Sequence, residues 1–258
     1  MFDTIILLTG LPQQQVALAA LLREHNPHVD IHGAVSLDDL LAIAPATLRR
    51  ARLVAFTTGV IVPPQVLNAI GYGAYNFHPG SPAYPGWAPA HFALADRATT
   101  FGATAHVMEA RVDCGAIIGV ETFAIPDGIA VAELEKTAFV RLAYLFWRMS
   151  KELATHPALL PPLPIAWSAS KSTKDSYRAA CAIPADISAE ELALRVRAFR
   201  DDFRGVPLTI TLHGLRFELA ADPAAPMPQA CAVTERPAAA IVTAPPTAPE
   251  APACATSA

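Results

Sequence analysis

The stretch that decides the fold is Thr4–Thr9, TIILLT, a continuous apolar run of strand length near the start of the 258-residue chain. A Gly-Leu-Pro turn follows it and leads into a helix-like stretch over residues 13–25. A second buried-strand pattern, LVAFT at residues 53–57, leads into a turn and helix over residues 60–70. Uninterrupted apolar strands that alternate with helices are typical of parallel sheets covered on both faces. We therefore predict an α/β fold with a Rossmann-like open, mainly parallel sheet and helices on both of its faces.

The segments between and beyond these runs alternate in the same way. Strands are predicted at residues 29–31, 72–77, 103–108 and 116–125, and helices at residues 37–44 and 87–97. Between Val131 and Leu153, apolar residues recur at spacings of three and four, which predicts one long amphipathic helix.

The C-terminal third has a different composition. A Pro-rich stretch at residues 157–164 ends the main domain, which we predict over 1–165. Ser188 and Glu191 form a capping-box signature for a helix, and the strands LTITL and LRFEL flank the turn His213–Gly214 as a hairpin. We predict a small helix and β-hairpin appendage over 166–221. The Ala/Pro-rich segment 222–258 is predicted to be a disordered tail, because it has too little apolar surface to offset its ordering entropy.

Composition narrows the class of protein. The formal net charge is −4, from 19 Lys+Arg against 23 Asp+Glu, which disfavours a nucleic-acid partner. No run approaches the roughly 20 apolar residues that a membrane-spanning helix needs, and Asp3 lies where a signal peptide carries positive charge. The four cysteines form no CxxC pair, and the three histidines at positions 25, 28 and 32 fit a surface cluster better than a metal site. We expect a cytoplasmic protein with no membrane partner and no metal.

Three polar residues suggest chemistry. Asn76 and His78 are two apart at the end of a predicted strand, so both point to one face, and Asp113 lies in a turn between strands. Ligands of open α/β sheets bind outside the carboxyl ends of the strands. An amide can donate to a developing oxyanion, an imidazole can shuttle a proton, and a nearby carboxylate raises the pKa of that imidazole. The trio suits acyl transfer; the alternative is that the three residues only cap a loop and end a turn.

The motifs around these residues resemble the formyltransferase family that uses 10-formyltetrahydrofolate, which includes methionyl-tRNA, glycinamide-ribonucleotide and amino-sugar formyltransferases. The family pattern is Asn-x-His, a Pro/Gly-rich loop, and then Asp-x-Gly-x-Ile. The chain supplies NFH at residues 76–78 and DCGAI at residues 113–117. Residues 59–67 resemble the stretch that borders the folate pocket, and residues 102–108 match the family's Gly-x-Thr-x-His-x-Met strand.

The resemblance implies an N-formyltransferase. A formyl group would pass from 10-formyltetrahydrofolate, the co-substrate, to the amine of a small-molecule acceptor (an amino sugar or a modified amino acid) through a tetrahedral intermediate. Asn76 and protonated His78 would stabilise the oxyanion, and Asp113 would support His78. The pterin would lie in an apolar slot formed by two groups of residues, which are Gly59, Val60, Ile61 and Val62 on one side and Val112 and Asp113 on the other.

Several alternatives remain open. The loop after His78 reads PGSPAYPG, which looks closer to the small-molecule branches of the family than to the tRNA enzymes. Hydrolysis of 10-formyltetrahydrofolate and a catalytically silent folate-binding relative are the alternative functions. Gln13–Gln15 and Tyr84–Trp87 are candidates for the acceptor pocket, although Tyr84 and Trp87 fit loop packing equally well. The C-terminal hairpin either packs on the main domain or forms a homodimer contact.

Overall fold

The computed structural model describes residues 2–200 and 204–220, and the predicted disordered tail lies outside the described residues. The strands are β1 (Thr4–Thr9), β2 (Asp30–Ala34), β3 (Ala51–Phe56), β4 (Ala74–His78), β5 (Thr100–Val107), β6 (Ile117–Ala124), β7 (Ala182–Ile183), β8 (Thr209–Leu212) and β9 (Leu215–Glu218). The helices are α1 (Pro12–His25), α2 (Leu37–Leu41), α3 (Pro45–Leu48), α4 (Pro64–Ala69), α5 (Pro89–Ala95), α6 (Val131–Thr155), α7 (Lys174–Cys181) and α8 (Ala189–Phe199).

The main sheet has six strands in the order β2-β1-β3-β4-β5-β6. The first four strands pair in parallel, whereas β5 is antiparallel to both β4 and β6. The predicted α/β fold with an open, mainly parallel sheet is therefore confirmed. The small second sheet, β7-β8-β9, contains the predicted hairpin, whose turn residues His213 and Gly214 both have positive φ, as a tight hairpin turn requires. A homodimer contact through this hairpin stays a prediction.

Burial explains why these segments form these elements. Every residue of β1 and of β3 is buried, so neither strand shows the alternation of apolar and polar residues that a half-exposed strand has. Helix α6 packs against α1 and β5 through a stripe that includes Leu142, Leu145 and Leu153. Each fully buried leucine of this kind contributes about 1.5–3 kcal/mol through loss of apolar surface from water.

One charged residue lies in this core. Arg52, the second residue of β3, has no solvent exposure. Its guanidinium donates to the carbonyl oxygens of Tyr72, Glu152, Leu153, His156 and Ala158, at distances of 2.7–3.0 Å. Four of these acceptors are carbonyls at the end of α6 and just beyond it, where a cation is favourable. Arg52 therefore ties the central sheet to the C-terminal end of the longest described helix.

Some elements differ from the sequence prediction. Of the turn and helix expected over residues 60–70, the helix begins at Pro64, because the Pro63–Pro64 pair sets its first turn and leaves residues 57–63 irregular. Helices α3 and α7 and the two-residue strand β7 were not predicted. Helix α7 is polar, and it begins where the Thr173 hydroxyl accepts from the amide of Ser176 at 3.0 Å.

The segment after α6 runs beside the loop that follows β4. The amides of Ser168 and Ser172 donate to the carbonyls of Pro82 and Pro85 at 2.8 and 3.0 Å, and the amide of Trp87 donates to Ser172 at 3.1 Å. Residues up to Leu219 belong to one compact unit, and the division at 165/166 stays a prediction. None of the helices in the described ranges is long and apolar enough to cross a membrane.

Candidate active site

A cavity of about 530 Å³ lies beside the carboxyl ends of β3 and β4, within the usual size range of small-molecule sites. Its wall includes the irregular segment after β3, the polar face of β4, the loop between β5 and β6, and the segment before α7. The structure places all the predicted site residues on this wall, namely Gly59, Val60, Ile61, Val62, Asn76, His78, Val112 and Asp113.

Strand register places the polar groups side by side. Asn76 and His78 alternate with Tyr75 and Phe77, which are fully buried in the core, so both polar side chains face the cavity. In the antiparallel pair of β4 and β5, Asn76 lies opposite His106. Nδ2 of Asn76 lies 3.1 Å from Nε2 of His106.

His78 is held from several sides. It is 7% exposed, and its Nδ1 lies 3.7 Å from Oδ2 of Asp113 while its Nε2 lies 3.5 Å from the carbonyl of Tyr84. A Cβ on Gly80 would lie only 2.5 Å from Nε2 of His78, so glycine leaves room for the imidazole. The Gly80 carbonyl in turn accepts a 2.7 Å bond from the buried hydroxyl of Thr104.

Asp113 is brought to the imidazole by a turn in the left-handed region, with φ of 46°. It is 4% exposed, and its Oδ2 accepts a 2.8 Å bond from the amide of Gly86. Gly86 itself has φ of 100°, and a Cβ there would collide with the Ser172 carbonyl at 2.1 Å. Oδ1 of Asp113 lies 3.3 Å from Nε2 of His106. Two separate loops therefore converge on one carboxylate.

These contacts change the protonation of the site. Burial lowers the pKa of His78 below its ordinary 6.5, and the negative charge of Asp113 opposes that shift. The His78 imidazole is therefore mostly uncharged at neutral pH, which differs from the protonated form expected from the resemblance. Burial acts to raise the pKa of Asp113, but the nearby imidazoles of His106 and His78 and the Gly86 amide lower it to about 2. Asp113 is therefore a carboxylate at neutral pH.

Other residues of the wall were not assigned by the sequence reasoning. The sequence indicates His106 only as a member of the Gly-x-Thr-x-His-x-Met strand. Its fixed position in that motif, two residues before Met108, is a signal that could have marked it as a site residue. Arg111, Lys171 and Lys174 bring positive charge to the wall, and the Lys171 ammonium donates to the carbonyl of Val112. Within the described ranges, no cluster of three or more His, Cys, Asp or Glu side chains is placed to hold a metal ion.

The acceptor-pocket candidates separate into two groups. Trp87 lines the cavity, whereas Tyr84 packs on Phe101 with ring centroids 6.2 Å apart. Gln14 and Gln15 point elsewhere, because their amides bond to the Thr57 hydroxyl and to the backbone at the ends of β1 and β2. Of these candidates, Gly86 and Trp87 belong to the wall of this cavity.

The motifs and the cavity fall within a region with known relatives. Residues 50–139 match the profile of a family described as Formyl transferase. This segment belongs to the formyl transferase family. The formyl transferase segment contains Asn76, His78 and Asp113, together with the irregular turn after β3.

Among curated proteins, the methionyl-tRNA formyltransferase of Listeria monocytogenes serotype 4a (strain HCC23) is 31% identical over 121 residues. The match covers 46% of this chain and 37% of that protein, so the chain spans little more than a third of the length of this relative.

Solved structures show the same fold over most of the chain. A sugar N-formyltransferase from Shewanella sp FDAARGOS_354 has a TM-score of 0.69 at 15% identity, covering 86% of this chain and 98% of that one. An N-formyltransferase from Helicobacter canadensis, in complex with folinic acid and dTDP-3-aminofucose, has a TM-score of 0.60 at 14% identity, covering 83% and 85%.

Proposed function

We propose that this protein transfers a formyl group from 10-formyltetrahydrofolate to the amine of a small-molecule acceptor. One observation carries the proposal: an amide, an imidazole and a carboxylate converge on one cavity inside the formyl transferase segment. The Helicobacter canadensis structure holds an amino sugar on a nucleotide, and its likeness to this chain favours an amino sugar as acceptor over a modified amino acid.

The cavity wall suits a flat heteroaromatic donor. Val60, Ile61 and Val62 form an apolar edge after β3, and Met108 and Val112 belong to the opposite loop. Ile61 is 60% exposed, so a bound ring that covered it would gain the burial of an apolar side chain. The bound donor would supply an activated formyl carbon beside the polar residues of β4.

Each polar residue has a role that its surroundings permit. The Asn76 amide donates to the formyl oxygen as that oxygen gains negative charge during attack by the amine. The uncharged His78 accepts a proton from the attacking nitrogen and returns it to the nitrogen that leaves the formyl carbon. The Asp113 carboxylate, 3.7 Å from the imidazole, stabilises the imidazolium while His78 holds that proton.

The experiment combines an acceptor screen with a site variant. The purified protein is incubated with 10-formyltetrahydrofolate and a panel of nucleotide-linked amino sugars, free amino sugars and amino acids, and formylated products are detected by mass spectrometry. Loss of one oxyanion donor lowers kcat by about 10²–10³-fold, which is the fall expected for Asn76→Ala. His28→Gln, in an exposed turn, is the matched control and should retain full turnover.

Three results would contradict the proposal. Release of formate at full rate without any acceptor would favour the hydrolase. Binding of a folate analogue without turnover on the whole panel would favour a silent relative. Undiminished turnover of Asn76→Ala would refute the assignment of the site.

A further inference from the structure

We infer that His106 is a positioning residue that fixes the orientation of the Asn76 amide. The inference rests on the proposed function, because it concerns how Asn76 presents a hydrogen-bond donor to the formyl oxygen. His106 is 3% exposed and lines the same cavity as Asn76, but the proposed chemistry assigns it no step.

The proton on His106 is placed by its own backbone. Nδ1 of His106 lies 2.8 Å from the carbonyl of Val107, and a carbonyl oxygen only accepts hydrogen bonds. Nδ1 therefore carries the proton, and in the neutral ring Nε2 is left as an acceptor. Nδ2 of Asn76, 3.1 Å away, is the donor that this acceptor requires.

This bond selects one of two amide orientations. With Nδ2 held by His106, one N–H of Asn76 is used and the second remains for a substrate oxygen. A half-turn of the amide would place its oxygen against the unprotonated Nε2, so that two acceptors faced each other. It would also reverse the groups presented to the cavity, where an amide oxygen would repel the developing oxyanion.

The imidazole is itself held in place. His106 lies opposite Asn76 in the β4–β5 pair, and its ring makes an edge contact with Trp167 at a centroid distance of 5.1 Å. The Trp167 indole is fixed by a 2.8 Å bond from Nε1 to the carbonyl of Gly115. A chain of contacts thus runs from the backbone of β5 and its following loop through His106 to Asn76.

Asp113 offers His106 a competing role. Its Oδ1 lies 3.3 Å from Nε2 of His106, and His106 is one of the groups that lower the pKa of Asp113. If His106 served as a charged partner of Asp113, Nε2 would carry a proton and could not accept from Asn76. The contact with Asn76 is the shorter of the two, at 3.1 Å against 3.3 Å, and it meets hydrogen-bond geometry, which favours positioning.

A double-mutant cycle separates the two roles. His106→Leu removes the acceptor and should lower kcat by about 10–100-fold, less than the loss of the oxyanion donor itself, with KM for the folate changed less than about threefold. His106→Gln, whose side-chain oxygen can accept from Asn76, should restore most of kcat. Because His106 acts through Asn76, the double variant Asn76→Ala/His106→Leu should be no slower than Asn76→Ala alone.

The contrary outcomes are specific. Losses that multiply in the double variant, or an acid limb of the pH profile that moves in His106→Leu, would overturn positioning and support a charged partner of Asp113. Thermal melts monitor folding, and His106→Phe, which keeps a ring against Trp167, takes the place of the Leu variant if that chain does not melt cooperatively. If Asn76→Ala alone left turnover intact, the proposed function would fail and this inference with it. A multiplicative cycle would overturn only the inference.

Discussion

Replacement of Asp113 by Asn tests whether the site depends on a negative charge or only on shape. Asn is nearly the same size, tolerates the left-handed backbone at this position, and has a side-chain oxygen that can accept from the Gly86 amide. The loss is therefore confined to the charge that faces Nδ1 of His78 at 3.7 Å and Nε2 of His106 at 3.3 Å.

The magnitude follows from the protonation of the carboxyl group. The folded protein lowers the pKa of Asp113 from 3.8 to about 2. Since one pKa unit corresponds to about 1.4 kcal/mol, the native contacts favour the carboxylate over a neutral group by about 2 kcal/mol. We expect Asp113→Asn to lower the free energy of unfolding by about that amount at neutral pH.

The stability difference between the wild-type protein and Asp113→Asn should decrease as the pH falls. A carboxyl group with a lowered pKa in the folded state contributes stability above 3.8, and that contribution is lost as the pH falls from 3.8 towards 2. Urea denaturation followed by circular dichroism should therefore show the full difference between the two proteins at about pH 7 and a smaller one at about pH 3. Turnover at about pH 7 should fall by about 10²–10⁴-fold, because the His78 imidazolium loses its counter-charge.

Two results would refute this reasoning. An equal loss of stability at both pH values would show that the cost is steric rather than electrostatic. Wild-type turnover in a stably folded Asp113→Asn protein would show that the carboxylate has no role in the chemistry.

Three further predictions concern the scaffold and the imidazole. Arg52→Met leaves five backbone carbonyls without the guanidinium donor and should lower the free energy of unfolding by about 4 kcal/mol in denaturant melts, with an intermediate loss for Arg52→Lys. A loss under about 1 kcal/mol would contradict the role of Arg52 in tying β3 to the end of α6. Gly80→Ala places a Cβ 2.5 Å from Nε2 of His78, so it should displace the imidazole and lower kcat by about tenfold or more with little change in melting temperature. An unchanged kcat would show that the reaction tolerates this displacement. Because burial lowers the pKa of His78, the acid limb of the kcat/KM profile should lie below about pH 6.5. Asp113→Asn removes the charge that opposes this shift and should move the acid limb to still lower pH. An acid limb above pH 6.5 would argue against an uncharged His78.

The local patterns predicted most of the main sheet. Strands β1 and β3 are buried at every position, so their continuous apolar runs identified them without knowledge of their neighbours. The buried stripe of α6 was equally clear, because its spacing depends on one helix alone. In contrast, α7 presents a polar sequence, and the two-residue β7 exists only because β8 pairs with it.

The site was predictable as a set of residues but not as a geometry. The Asn-x-His and Asp-x-Gly-x-Ile patterns selected residues that the fold places on one cavity wall. The contact between Asn76 and His106 depends on the register of an antiparallel pair, which neither strand encodes by itself. The bond from the Gly86 amide to Asp113 joins two loops 27 positions apart, and no local pattern indicates such a contact.

The main-chain bonds between residues 168–172 and the loop at residues 82–87 limit how parts of such proteins can be recombined. In a chimera joined between residues 165 and 166, the loop would come from one parent protein and the segment 168–172 that bonds to it would come from another. The Gly86 amide of this loop bonds to the Asp113 carboxylate, so a poor fit between the loop and residues 168–172 would displace a group of the proposed site. Crossovers placed before Asn76 or after Ser172 would keep the loop and residues 168–172 from the same parent. Recombination breakpoints in evolution should therefore avoid the interval from Asn76 to Ser172.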